Sequence, residues 1–162
     1  MQGGIFTYAL LAALATGLLI AAFTDLRRRE IDNWLTTAIA LGAPLFWLSS
    51  GLSFEAMGIQ VVIALATFAV LFVLFALNLM GGGDVKLLTA LSLWIAPLWF
   101  ARLIIVMALV GGLLTLVFGA IHLARRKPGK VAVPYGIAIS AAGLWVLVSQ
   151  HLIPLKSGGF FG

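Results

Sequence analysis

No cysteine occurs anywhere in the 162 residues. Disulfides, thiolate metal sites and a cysteine nucleophile are all excluded at once. Charge is nearly as scarce, since 9% of the chain is Asp, Glu, Lys or Arg and only five residues are acidic. A water-soluble domain of this length needs far more polar surface to cover its core. Hydrocarbon takes its place: 63% of the residues are hydrophobic and the mean hydropathy is +1.18. Apolar runs close to the roughly 20 residues that cross a bilayer recur along the chain. The expected fold is therefore all-α, a polytopic membrane bundle of about six helices in a single domain over residues 1–162, with the lipid bilayer as its first partner. The opening "MQGGIFTYALLAALATGLLIAAF" has no basic segment before its apolar run and no small-residue cleavage site leading into polar sequence. It reads as a retained first span rather than a signal peptide.

Six apolar segments are expected at 5–24, 34–49, 56–79, 85–99, 103–124 and 131–150. The fourth is the shortest. Its roughly 15 residues give about 22 Å of helix, against a hydrocarbon core of about 30 Å, and Pro97 lies near its end. Charge decides in its favour. With all six segments spanning, Arg27, Arg28, Arg29, Lys86, Arg125, Arg126, Lys127 and Lys130 fall on one side, leaving Arg102 and Lys156 opposite. The positive-inside rule makes the basic side cytoplasmic and puts both termini outside. Topology thereby absorbs most of the formal charge of +5, and no nucleic-acid partner is expected. Gly111, Thr115 and Gly119 recur at i, i+4 and i+8, a smooth stripe suited to close helix packing. His122 and His151 fall near opposite membrane faces, so they cannot share a metal.

The five acids divide sharply. Glu55 lies in a short external loop, and Glu30 and Asp32 lie among arginines in the first cytoplasmic loop. Solvation accounts for all three. Asp25 instead follows the first apolar run directly, and Asp84 opens the fourth segment. Taken singly, Asp25 fits an interfacial cap or a partner for the adjacent arginines, and Asp84 fits a helix N-cap. Taken together, they place two carboxylates at one membrane face, where a carboxylate is costly unless it meets a polar cavity or partner. Two aspartates sharing a proton can activate water and protonate a leaving amide nitrogen, because like charges at close range separate the pKa values of the pair.

The second aspartate sits in "MGGGDVKLL", residues 80 to 88. Gly81, Gly82 and Gly83 permit backbone conformations closed to other residues and the close approach of another chain. An extended peptide brought to Asp84 needs both. A phosphate cradle fits poorly, since "GGGDVK" lacks the G-x-x-x-x-G-K-[ST] spacing and puts a negative charge where phosphate would lie. A small proton- or ion-coupled transporter using the same two aspartates is the alternative. It leaves unexplained why both acids sit at one face rather than near the midplane.

These residues resemble the type IV prepilin peptidases and the related preflagellin peptidases. Gly81, Gly82, Gly83 and Asp84 match their GxGD signature, and Asp25, Arg27 and Ile31-Asp32-Asn33 match the end of the first span and its Ile-Pro-Asn-like loop. Val133, Pro134, Tyr135 and Gly136 are similar to the Val-Pro-Phe-Gly-like start of the last span. The resemblance implies an aspartic endopeptidase in the bacterial inner membrane, free of metal and cofactor, with its active site facing the cytoplasm. Asp25 and Asp84 would be catalytic, and Gly81, Gly83, Lys86 and Asn33 would position the substrate. That substrate would be a prepilin or pseudopilin, whose polar leader precedes a hydrophobic helix, with the pilus assembly machinery as a further partner. Two departures stand out. Asp32 replaces the usual proline, and no part of these 162 residues is expected to supply the cysteine-bearing cytoplasmic domain of the bifunctional methylating enzymes, so the chain looks like the short branch serving tight-adherence (Flp-type) pili.

The charge split gives a direct test. Single cysteines replacing Arg28, Gly83 or Lys127 should react with a membrane-impermeant thiol reagent only from the cytoplasm, and those at Ser53 or Ser157 only from outside. Labelling of the Lys127 position from outside would remove segment four as a crossing.

Overall fold

A computed structural model describes residues 4–124 and 135–152. The second basic cluster, with Val133 and Pro134, lies outside the described residues. Six α-helices follow one another: α1 (Ile5–Arg28), α2 (Asn33–Ser49), α3 (Phe54–Ala76), α4 (Gly82–Ser92), α5 (Pro97–Ala124) and α6 (Tyr135–Leu147). A π-helical turn, Val148–Leu152, continues α6. The fold is all-helical, as the composition requires.

Several boundaries depart from the expected segments: α3 ends at Ala76, α4 begins at Gly82 and α5 begins at Pro97, and the ends of α1 and α4 each have a local reason. α1 continues to Arg28, so Asp25 lies inside its last turn rather than after it. Arg27 and Arg28 in that turn suit the negative end of the helix dipole, and Arg29 ends it in the left-handed region at φ 55°, its N–H donating to the Asp25 carbonyl at 2.8 Å. α4 stops at Ser92, and the bend expected near Pro97 occupies residues 93–96. Pro97 is the first residue of α5. Its fixed φ and missing N–H suit a first helical position.

Successive helices alternate in direction. The C-terminus of α1 meets the N-termini of α2 and α4 around one cavity, and Phe75 near the end of α3 lies beside Gly82. This is the aspartate end. At the far end the Thr7 hydroxyl donates to the Ser49 carbonyl at 3.1 Å, and the His151 ring stands edge-on to Phe46. α4 packs against α2, α3 and α6, while α6 packs against α1, α4 and α5. These two helices form the interior. Leu87, Leu88, Leu91, Ile95, Ile139, Ala142 and Val146 are fully enclosed.

That placement explains the helix lengths. α1, α3 and α5, with 24, 23 and 28 residues, are long and apolar enough to cross a membrane. α2, α4 and α6 have only 17, 11 and 13. The expectation of six segments is met in number and alternation, but not in spanning length. At 1.5 Å per residue α4 covers about 17 Å. Lipid thickness does not set its length, because α2, α3 and α6 pack around most of it.

A buried helix end still needs partners for its carbonyls. Here they come from side chains of α3 and α2. The Gln60 amide nitrogen donates to the carbonyls of Ser92 (3.4 Å), Leu93 (3.3 Å) and Ile95 (3.0 Å), and the Trp47 indole donates to Leu93 at 2.7 Å. Trp94 then donates back to the Ile39 carbonyl at 2.8 Å. The small-residue stripe is used in part: Gly111 seats the Tyr135 ring, and the Thr115 hydroxyl lies 3.3 Å from the Tyr135 hydroxyl. Gly119 has no described neighbour within 4 Å.

Gln60→Leu keeps the volume but strips the donor from those carbonyls. It should lower stability by about 1–3 kcal/mol, read as a lower Tm of the detergent-solubilised protein. An unchanged Tm would mean that the Trp47 indole alone holds the end of α4.

Candidate active site

Asp25 is 6% exposed. It faces the first turn of α6, whose Gly136 and Ile137 N–H groups point at its carboxylate. A helix N-terminus presents free N–H groups and partial positive charge, which suits a carboxylate. Oδ2 nevertheless reaches no hydrogen bond of full geometry among the described residues. The approach is very close. A Cβ placed on Gly136 would lie 2.8 Å from both Cγ and Oδ2 of Asp25. Only glycine fits there.

Asp84 lies in the first turn of α4. It is not the N-cap, which is Gly81 in extended backbone at φ −73°, ψ 143°. The Gly81 N–H faces the Asp84 carboxylate, the reach-back of a third-position acid toward the cap. The glycines do not serve through unusual backbone angles as expected. Among the described residues Gly51 is the one glycine with positive φ. Their value is lack of bulk: a Cβ on Gly83 would stand 3.2 Å from Ile31 Cβ, and one on Gly82 would stand 3.3 Å from the Phe75 ring. The close approach is by the chain's own loop and α3.

Asp25 and Asp84 line one cavity of about 420 Å³, together with Gly81–Gly83 and the loop from Arg29 to Asn33. Five of the six residues singled out in the sequence thus come together: Asp25, Asp84, Gly81, Gly83 and Asn33. Lys86 stands beside the cavity, its Nζ donating to Asn33 Oδ1 at 2.8 Å. That bond ties the start of α2 to the first turns of α4. Asp32 pairs with Arg28 at 3.1 Å, so the residue replacing the resemblance's proline has a local partner of its own. An exposed pair of this kind is weak, about 0.2–1 kcal/mol. The loop is better anchored by Ile31, buried against Gly83.

Three residues had their place at the site overlooked. Glu30 and Asp32 also line the cavity, although loop solvation explained them in the sequence. Gly136 received no role there, yet its missing side chain admits Asp25. The signal was the "VPYG" element, whose glycine opens α6. His122 and His151 lie toward opposite ends of the bundle, on the last turn of α5 and the π-turn after α6.

Two carboxylates from separate helices, enclosed at one end of an apolar bundle, define the class: a membrane helical bundle with a paired-aspartate site. Comparison with known proteins agrees. The model of the type IV leader peptidase family matches residues 12–123. The prepilin leader peptidase/N-methyltransferase of Aeromonas hydrophila is 33% identical over 145 residues, which are 85% of this chain and 48% of that protein. The protein of the same description from Aeromonas salmonicida (strain A449) is 34% identical over 146 residues, again 85% and 48%. This chain belongs to the type IV leader peptidase family. It spans about half the length of the curated relatives it matches. No solved structure matches it significantly.

Displacing Asp25 by a single methyl group is the sharpest probe of this geometry. Gly136→Ala should slow any peptidase activity in which Asp25 takes part by about 10²-fold, the effect of moving a reacting group by roughly 1 Å. Gly112→Ala, where no described atom lies within 4 Å of the added Cβ, should leave it unchanged. Equal rates for both variants would show that Asp25 tolerates displacement from α6.

Proposed function

We propose that the chain is an aspartic endopeptidase that removes the leader of type IV prepilin-like substrates at the cytoplasmic face of the bacterial inner membrane. The observation carrying this reading is the meeting of Asp25 and Asp84 in one cavity, although 59 positions separate them (84 minus 25). The two relatives named above are prepilin leader peptidases by description, which supports a prepilin as the substrate. The Flp-type identity of that prepilin rests on the resemblance to the short branch, and a role beside the pilus assembly machinery follows from the substrate.

In this mechanism one aspartate is ionised and the other carries a proton. The ionised carboxylate takes a proton from water as the oxygen attacks the scissile carbonyl carbon. The protonated partner hydrogen-bonds the carbonyl oxygen as negative charge develops on it. Collapse of the tetrahedral intermediate breaks the C–N bond, and a carboxylic acid gives the leaving nitrogen its proton. The pair titrates as one unit, and its two members exchange roles through the cycle. No step calls for a metal or cofactor. The cytoplasmic placement follows from the charge split: Arg27, Arg28, Arg29 and Lys86 all belong to the aspartate end. A prepilin keeps its polar leader in the cytoplasm, so the bond before its apolar helix would arrive at this depth.

Asp25→Asn and Asp84→Asn conserve side-chain volume, so insertion and fold should survive. Each should cut prepilin cleavage by about 10³-fold or more, and the double variant should be little worse than either, because members of one catalytic unit are not additive. Wild-type cleavage should persist in EDTA. Undiminished cleavage by either variant, or EDTA inhibition reversed by a divalent metal, would overturn the mechanism.

A further inference from the structure

A second concavity, of about 280 Å³, opens sideways between α2 and α3. These helices are consecutive, yet both pack chiefly on α4 rather than on each other. α4 therefore forms the floor of a channel whose walls are α2 and α3. We propose that this channel receives the apolar helix that follows the scissile bond of the substrate. The inference rests on the peptidase reading above and adds to it the surface that holds the substrate.

The floor presents Lys86, Thr89, Ala90 and Leu93. Lys86, Thr89 and Ala90 fall at i, i+3 and i+4 on a single face of α4, and Leu93, the residue capping the helix, follows at i+7. Starting two residues beyond Asp84, this face runs away from the cavity for about 10 Å. Its surface suits a helix. The Thr89 hydroxyl donates to the Val85 carbonyl at 2.8 Å, and the α2 wall's Thr36 hydroxyl donates to the Asn33 carbonyl at 3.0 Å. Both hydroxyls are thus satisfied within their own helices and make no demand on a partner. Small and methyl-bearing surfaces allow close helix approach where no water drives association.

The channel also joins the catalytic cavity. Lys86 lines its mouth, and the Lys86 ammonium is bonded to Asn33, which lines the cavity. On the α3 side, Phe68 lines the channel and begins a ladder of rings, with centroids 5.7 Å apart to Phe72 and 6.2 Å on to Phe75. Phe75 touches the Gly82 position, whose neighbours Gly81 and Gly83 flank it at the cavity. Floor and wall both lead to the dyad. A chain extended across the glycines and helical beyond them would enter this channel directly.

The natural lack of cysteine makes the test clean. Single cysteines are placed at Leu41→Cys on the α2 wall, at Phe68→Cys, and at Leu109→Cys and Leu116→Cys on the exposed face of α5. Each is combined with Asp84→Asn to retain substrate and co-expressed with a type IV prepilin carrying one cysteine in its apolar helix. Oxidation in membranes should join the prepilin to positions 41 and 68 and not to 109 or 116. In the active enzyme, Leu41→Trp should raise KM for intact prepilin about tenfold, equivalent to roughly 1.4 kcal/mol. kcat, and the cleavage of a short peptide covering only the scissile bond, should be unchanged. Preferential cross-linking to α5, self-cross-linking of this chain through position 41 in place of the prepilin, or an unaltered KM would overturn the channel while leaving the peptidase intact. Absence of cleavage by the wild-type protein would overturn both.

Discussion

The aspartate end of this protein depends on how closely α6 can approach α1. Gly136 lets the backbone of α6 reach the Asp25 carboxyl, and seven residues later Gly143 does the same against Leu18, where a Cβ would lie 2.9 Å from the leucine methyl. Seven residues are about two helical turns, so both glycines lie on the seam between the helices. Burying a carboxylate without full hydrogen bonding is costly. The positive end of a helix, aimed at it from contact distance, offsets part of that cost. A larger residue at either glycine would separate the helices and remove the compensation along with the geometry.

Asp84 depends on a different constraint. α4 is short, with three neighbouring helices packed around most of it. Its N-terminal turn faces the cavity, and its C-terminal carbonyls are met by Gln60 and Trp47. A helix held at the far end by donors from two neighbours cannot slide along its axis without breaking those bonds. Asp84 is therefore fixed by contacts more than two helical turns away. Gln60 and Trp47 touch neither aspartate, yet they act on the site through the rod that carries one of them.

The loop between α1 and α2 closes the remaining side. Arg29 turns the chain out of α1 one helical turn after Asp25, Ile31 packs on the space left by Gly83, and Asn33 receives Lys86. Proline at position 32 would stiffen such a loop by fixing φ. Aspartate instead lies in extended backbone at the start of α2, with ψ 136° and a bond to Arg28. The course of this loop is thus supported by packing and a side-chain contact.

Much of this was legible in the sequence. The scarcity of charge and the recurring apolar runs of roughly 20 residues pointed to a helical bundle in lipid, because runs of that length suit spanning helices whose backbone is hydrogen-bonded within each segment. The placement of Asp25 and Asp84 at the edges of apolar segments on one membrane face marked them as a pair, and GxGD with the VPYG element pointed to the family. Helix lengths were less legible. Hydropathy records that a residue avoids water, and Leu88 or Ile139 meets that need equally against lipid or inside a protein core. α4 and α6 therefore read like spans although they are the interior. The role of Gly136 was hidden because a glycine's reason is whatever occupies the space beside it, here a carboxyl from 111 positions earlier (136 minus 25). The glycines at 81 to 83 were marked as important, but backbone freedom and close packing have the same sequence signature. Sequence determined the chemistry available and the solvent it had to live in. Only tertiary structure decided which side chains share a cavity, because that depends on distances between helices that no local pattern encodes.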